Sequence, residues 1–199
     1  MSMHDDWRDG FPFVGNQLSL DFLNTRPIMD GNPVELLPDS ASLVRWMVAA
    51  GLLTRDGAKS FPDHNRTTLN RLIEFRETWR QVVLGIEDGR PPSAAFIAQV
   101  NDLLTQHPVV ELLVRSSSGW TRERRFEFRR PEDVFGPLLD ATANLLCVSD
   151  RSKIRKCAAC VLHFYDTSKK GTRRWCSMSA CGNRSKVAAY ARRKNAEVE

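Results

Sequence analysis

The chain has 199 residues and a mass of 22.6 kDa, which fits one medium domain or one body with a small appendage and argues against two large domains. Its 42% hydrophobic content, with ten Phe and five Trp, can fill a core and excludes global disorder. No apolar run approaches the ~18–20 residues of a membrane span, and the N-terminus, MSMHDDW, is acidic where a signal peptide is basic. We therefore expect a soluble, cytoplasmic protein with no membrane partner.

The formal charge of +5 is divided unevenly along the chain. Residues 1–150 contain 16 basic and 21 acidic residues, whereas residues 151–199 contain 13 basic and 3 acidic residues. A short basic segment behind an acidic body is typical of a protein that binds a polyanion, and nucleic acid is the commonest polyanion in a cytoplasm. Charge alone leaves a solvated basic tail open as the alternative.

Near the N-terminus, the segment LSLDFLNT at 18–25 places polar side chains among large apolar ones. If the segment is helical, Asp21, Asn24 and Thr25 share one side of it. We expect these three residues to hydrogen-bond backbone groups of a turn or a helix end, which Asp, Asn and Thr readily do. A small-molecule sensor pocket built from them is the alternative.

The rest of the body is predicted to be mainly helical. Helix signals cover residues 39–50, about 65–87 and 93–106, the second with an apolar stripe at alternating spacings of three and four. Residues 109–128 then predict a β-hairpin, whose arginines alternate with acidic residues. We expect a salt-bridged outer face there, with an extended nucleic-acid surface as the alternative.

A last helix of the body is predicted over residues 131–148, ahead of a short linker at 149–152. Cys147 lies in an apolar run of this helix, where we expect it to behave as a buried small hydrophobe. The predicted fold is therefore α+β: a mainly helical body over residues 1–150 that carries one β-hairpin, followed by a small C-terminal module.

Four of the five cysteines fall in that module, at Cys157, Cys160, Cys176 and Cys181. Two close pairs around a longer insert form the pattern that tetrahedral zinc requires. Disulfides are the alternative, which a reducing compartment disfavours. Four thiolates fill the coordination shell and leave no position for water, so we expect one structural zinc ion and no hydrolytic metal.

The spacing of the second pair also predicts local structure. Five residues along an α-helix turn a side chain by about 140°, so Cys176 must precede a helix and Cys181 must lie in its first turn. The β-prone stretch at 161–165 then gives the module a treble-clef-like arrangement. Within that stretch we expect His163 to lie on the wetter face of a strand, with zinc ligation as the alternative.

Two motifs of the chain resemble a known bacterial family. The segment RRWCSM at 173–178, followed by CGNR at 181–184, resembles the CGNR zinc finger, and FYDTS at 164–168 resembles the segment before it. The segment at 18–25 resembles the opening of the ABATE domain, which accompanies this finger in bacterial stress-induced transcription regulators. The resemblance implies an ABATE-like domain over residues 1–150 and a CGNR-type zinc finger over residues 151–199 that contacts DNA.

The basic residues of the finger supply the candidate contacts to phosphate. We assign the nucleic-acid interface to Lys169, Lys170, Arg173, Arg174, Arg184, Lys186 and Arg193. Arg184 is expected to contact either a base edge or an internal hydrogen-bond acceptor. On the same C-terminal helix, Val187, Tyr190 and Ala191 form an apolar stripe that we expect to pack on the body.

These features predict a DNA-binding transcription regulator in which the body senses a small-molecule effector or forms a homodimer. The predicted partner is nucleic acid, with duplex DNA favoured over RNA. The alternative is a zinc-stapled module that binds a protein or RNA without reading a DNA sequence. The sequence contains no Gly-rich phosphate loop, nucleophile elbow or His-rich cluster, so we do not expect an enzyme.

Overall fold

The computed structural model describes residues 6–62, 66–147 and 150–196, and within the last helix the side chains up to Ala191 and that of Lys194. The fold is mainly helical α+β, as predicted. The helices are α1 (Leu18–Leu23), α2 (Ser40–Ala49), α3 (Arg55–Lys59), α4 (Arg66–Glu87), α5 (Ala94–Gln106), α6 (Phe135–Cys147) and α7 (Asn183–Ala196). Antiparallel hairpins pair β1 (Trp7–Arg8) with β2 (Phe11–Pro12), β3 (Ile28–Met29) with β4 (Asn32–Pro33), β5 (Val110–Ser116) with β6 (Gly119–Arg125), and β7 (Ile154–Lys156) with β8 (His163–Tyr165). Within the described ranges, no helix is both long and apolar enough to cross a membrane.

The three helices predicted for the middle of the body are confirmed. Helix α2 begins after Asp39, whose carboxylate accepts the backbone N–H of Ser42 at 2.8 Å, and it is followed by Gly51 in the left-handed conformation. Helix α5 begins after Ser93, whose hydroxyl accepts a backbone N–H from its first turn at 3.2 Å. Helix α4 ends at Glu87, as predicted, and the predicted first residue of that helix, at 65, lies outside the described residues.

The core of the body lies where α1, α4 and α6 meet, because α1 packs against both of the longer helices. Its largest fully buried side chains include Phe22, Trp46, Leu72, Trp79 and Phe135. Leu72 and Trp79 belong to the apolar stripe that predicted α4, and each such side chain contributes about 1.5–3 kcal/mol when it leaves water. Helix α1 is therefore held from both sides although it is only 6 residues long.

The described part of the body contains three hairpins, where one was predicted. The β1–β2 turn is Asp9-Gly10 and the β3–β4 turn is Asp30-Gly31, all four residues having positive φ. Asp-Gly is a strong signal for such a tight turn. The strands on either side have two residues each, which is too short to show the alternation that predicts a strand.

The hairpin predicted at 109–128 is confirmed as β5–β6, although its second strand ends earlier, at Arg125. Its salt-bridged outer face is also confirmed. The arginines of this region pair with carboxylates in Arg122–Glu111, Arg124–Asp140, Arg125–Glu123, Arg129–Glu127 and Arg130–Asp133, at 2.7 to 3.4 Å.

The helix predicted after Pro131 begins as a 3₁₀ turn at Pro131–Val134 and continues as α6. Its predicted last residue, at 148, lies outside the described residues. Cys147 is exposed at the end of α6, so the prediction that it is buried was wrong. Apolar neighbours in sequence do not bury a residue in the last turn of a helix, because only one side of that turn faces the body.

Candidate metal centre and nucleic-acid interface

The four clustered cysteines converge on one point of the finger. Their Sγ atoms all lie within 4.8 Å of one another, with Cys160 to Cys176 at 3.6 Å and Cys176 to Cys181 at 3.7 Å. Four sulfurs at about 2.3 Å from a tetrahedral zinc ion lie about 3.8 Å apart, whereas a disulfide requires about 2.05 Å. All five cysteines of the chain are free thiols. The cluster therefore has the donor set and the size for one zinc ion.

Local structure brings the sulfurs together from two turns. The first turn is closed by the N–H of Cys157, which donates to the carbonyl of Leu162 at 2.9 Å. Cys176 precedes the second turn, as predicted, while Cys181 lies in a π-helical turn, Met178–Gly182, just before α7 rather than in α7 itself. A Cβ at Gly182 would lie 2.8 Å from the sulfur of Met178, so a larger residue at this position of the CGNR motif requires the exposed Met178 side chain to move.

Electrostatics favour a divalent cation at the cluster. Hydrogen bonding with Cys157 raises the pKa of Cys160 to about 12. The pKa of Cys176 is also raised, mainly by hydrogen bonds with Cys157 and Cys160 and to a smaller extent by burial. The sulfurs therefore cannot all become thiolates unless a cation neutralises them. Arg184 adds one positive charge at the edge of the cluster, with its Nη2 atom 3.4 Å from the sulfur of Cys181.

His163 lies in strand β8, as expected, but it is buried, so the prediction that it lies on the wetter face was wrong. Its Nε2 atom is 3.4 Å from a carboxylate oxygen of Glu87 in α4. The wetter face was assigned from alternation alone, and alternation cannot show that the body covers this strand. His163 is not part of the four-cysteine cluster.

The loop between the two cysteine pairs presents Lys169, Lys170 and Arg174 as exposed side chains. The buried carboxylate of Asp166 holds this loop, accepting the N–H of Ser168 at 2.8 Å and the N–H of Arg173 at 2.9 Å. Sequence reasoning missed the role of Asp166. The available signal was an Asp two residues before a Ser, because an Asp side chain often closes a turn by accepting the backbone N–H two residues later.

Arg173 differs from the other three cations of the loop. Its guanidinium lies 4.5 Å from the ring centre of Phe164 and donates to the carbonyls of Trp175, at 2.8 Å, and Cys176. Arg173 thus uses its Nε and Nη2 atoms within the finger, and its assignment to the nucleic-acid interface stays a prediction. Arg174 also lies over an aromatic ring, that of Trp175, but remains exposed.

Helix α7 presents Arg184 and Lys186 on its exposed surface, while the side chain of Arg193 lies outside the described residues. Arg184 donates to the carbonyl of Ala159 as well as to Cys181, at 3.4 Å each, so it contacts internal acceptors. Val187 and Tyr190 are 68% and 64% exposed, so the prediction that their stripe packs on the body was wrong. A stripe of only three apolar residues offers too little area to hold a helix against a domain.

Asn24 joins the body to the finger. Its side-chain amide donates to the carbonyl of His163 at 2.8 Å, and its oxygen accepts the N–H of His163 at 2.9 Å. Beside it, Asn16 donates to the carbonyl of Tyr165 at 2.9 Å, and the N–H of Tyr165 donates to the carbonyl of Gly15 at 2.8 Å. The N-terminal segment of the body therefore runs along strand β8 and orients the finger.

Thr25 and Asp21 also make internal hydrogen bonds. The hydroxyl of Thr25 donates to the carbonyl of Phe22 at 2.7 Å and accepts from the guanidinium of Arg76 at 2.9 Å. Asp21 accepts the N–H of Gly15 at 2.7 Å, and burial raises the pKa of its carboxyl to about 7. These bonds are of the kind expected at turns and helix ends. A ligand pocket formed by these residues stays a prediction.

Comparison with known families agrees with both sequence motifs. Residues 16–149 match the ABATE family, described as a putative stress-induced transcription regulator, and this match covers more than half of the chain. Residues 153–194 match the CGNR zinc finger. No curated protein matches the chain. The chain therefore belongs to the ABATE family of transcription regulators and carries a C-terminal CGNR zinc finger.

Proposed function

We propose that the protein is a transcription regulator whose finger binds duplex DNA and whose body holds the finger in a defined orientation. The observation that carries this proposal is the loop with Lys169, Lys170 and Arg174. Its cations are exposed, and its backbone is held by the buried Asp166 and by the cysteine pairs at both ends. Cations on a preorganised loop lose little entropy when they contact phosphates.

Helix α7 supports the proposal because it is exposed on more than one side. Its 14 residues span about 20 Å, and a B-DNA major groove of about 12 Å width admits a helix. Lys186, Tyr190 and Lys194 follow one another at intervals of four, so they share a face of the helix. We assign Arg193, seven residues after Lys186, to the same phosphate-facing side. Val187 beside them can contact thymine methyl groups.

The body contributes less directly to DNA binding in this proposal. It fixes the finger through Asn24 and strand β8, and it senses an effector or forms a homodimer. The hydrogen bonds of Asp21, Asn24 and Thr25 favour a structural role over an effector pocket at these residues. Four thiolate ligands leave no open coordination position, so we assign no enzymatic reaction to the metal centre. A regulator that binds DNA acts inside the cell, and we place this protein in the cytoplasm.

The second candidate function is a zinc-stapled module that binds RNA or an acidic protein. A competition measurement separates the two functions: a fluorescent duplex bound by the full-length, zinc-loaded protein is displaced by unlabelled duplex or by single-stranded RNA at fixed salt. We expect the duplex to compete at least tenfold better. Equal or better competition by RNA would contradict duplex DNA binding and favour the second candidate function.

The residue assignment has its own test in the combined variant Lys169→Gln, Lys170→Gln and Arg174→Gln. Each lost phosphate contact removes about 0.9 log unit of affinity at 0.1 M salt, so we expect a loss of at least 100-fold. A control variant, Arg55→Gln, Lys59→Gln and Arg66→Gln, makes the same change of charge at exposed residues of α3 and α4. If both variants retain zinc and weaken binding equally, the loop is not the contact surface.

A further inference from the structure

An open groove of about 550 Å³ lies between the end of α4 and strand β7, where the body meets the finger. Its finger side carries Arg151, Arg155 and Lys156, and we call these three residues the basic groove. All three are exposed. Among the residues that the structure describes, none of the three forms an ion pair with a carboxylate.

This lack of ion pairs sets the basic groove apart from five arginines on and beside the β5–β6 hairpin. On and beside the β5–β6 hairpin, each of Arg122, Arg124, Arg125, Arg129 and Arg130 has a carboxylate within 3.4 Å. Those five arginines are neutralised locally. The three cations of the basic groove form no such ion pair among the described residues, so they can attract an external anion.

The one carboxylate that lines the groove offsets only one of its three positive charges. Glu87 lies at the end of α4 and directs an oxygen to the buried His163, at 3.4 Å from its Nε2 atom. Glu87 is thus engaged at the junction between body and finger. The groove presents three cations and a single carboxylate, so its net charge favours an anionic occupant.

The basic groove adjoins the loop that the proposed function assigns to DNA. The Nη2 atom of Arg155 donates to the carbonyl of Gly171 at 3.3 Å, and Gly171 directly follows Lys169 and Lys170. The loop and Arg155 are therefore neighbours, so one phosphate backbone can contact both. The shape also suits a backbone, because the groove is open along its length rather than closed around a small molecule.

We infer that the basic groove binds the sugar–phosphate backbone of the duplex that the finger holds. The interface then extends from the loop across β7 towards the end of α4, where the finger meets the body. This inference rests on the proposed function, because it concerns the same duplex. It assigns Arg151, Arg155 and Lys156 as phosphate contacts that neither motif nor family match indicates.

The test is the salt dependence of duplex binding by the full-length, zinc-loaded protein. In the variant Arg151→Gln, Arg155→Gln and Lys156→Gln, the slope of log K against log salt should flatten by about 2.7 if all three residues touch phosphates. Because Arg155 also hydrogen-bonds Gly171, the variant Arg151→Gln with Lys156→Gln checks the result without disturbing that bond, and it should flatten the slope by about 1.8.

The control is again Arg55→Gln, Lys59→Gln and Arg66→Gln. Arg66 begins α4 and Glu87 ends it, so Arg66 lies about 30 Å from the groove along a helix of 22 residues, and neither Arg55 nor Lys59 lines the groove. The control should keep the wild-type slope. If both groove variants also keep it, the inference is wrong while the proposed function stands. If the wild-type protein shows no salt-dependent binding to duplex DNA, the proposed function and the inference are both wrong.

Discussion

Replacing Asn24 by alanine removes both hydrogen bonds that its side chain makes across the junction between body and finger. Asn24 is 1% exposed, and its partners are the N–H and the carbonyl of the buried His163. Alanine leaves both backbone groups without a partner in a place that water does not reach. Each buried group left unpaired costs about 1–3 kcal/mol, so the free energy of unfolding should fall by about 2–5 kcal/mol.

The chain offers a matched control for this substitution in Asn16, which donates a single hydrogen bond to the carbonyl of Tyr165 at an exposed site. Water can replace that bond, but Asn16 has a left-handed backbone in which alanine is strained, so Asn16→Ala should cost about 1–2 kcal/mol. Urea denaturation followed by tryptophan fluorescence measures both values, in protein samples with equal zinc content. Amide hydrogen exchange at His163 should become faster only in Asn24→Ala. If Asn24→Ala costs no more than Asn16→Ala, the two bonds do not hold the finger as described.

Three further predictions concern the metal and buried charges. Chelation of zinc should unfold the finger, because structural zinc contributes about 10–16 kcal/mol to folding. The helical circular dichroism signal that α2 and α4–α6 supply should persist, and a finger that stays folded after metal loss would contradict this prediction. The pKa of Asp21 is raised by burial from 3.8 to about 7, so the native state loses stability as the pH rises between these values. Relative to Asp21→Asn, the wild type should lose about 2 kcal/mol between pH 5.5 and pH 8, and parallel pH profiles of unfolding would refute this. Arg76 is fully buried against Glu35, so Arg76→Met should cost about 3–5 kcal/mol in denaturation, whereas adding Glu35→Gln should recover part of that loss.

Sequence reasoning succeeded where a local rule decides the structure. The spacing of Cys157, Cys160, Cys176 and Cys181 predicts one metal cluster because zinc imposes its geometry on any chain that carries the ligands. Helices α2 and α5 were predictable because each has a capping residue before it and a periodic apolar face. Such signals depend on residues that are close in sequence.

The features that were missed depend on residues that are distant in sequence or on surface area. Asn24 and His163 are 139 residues apart, so no local pattern connects them. The burial of His163 likewise follows from the body that covers β8. On α7, the apolar stripe of Val187 and Tyr190 predicts amphipathicity but does not show whether a partner surface exists. The contacts of Arg173 with the ring of Phe164 and two carbonyls were likewise missed, while its assignment to the interface stays a prediction.

The central claim is that the finger and the adjoining groove bind duplex DNA through exposed cations. The most direct test is the affinity of the full-length, zinc-loaded protein for duplex DNA as a function of salt concentration. The three loop cations predict a contribution of about −3 to the slope of log K against log salt, the basic groove brings it to about −5, and the phosphate-facing cations of α7 make it steeper still. A slope between 0 and about −1, or no measurable binding at low salt, would contradict the account.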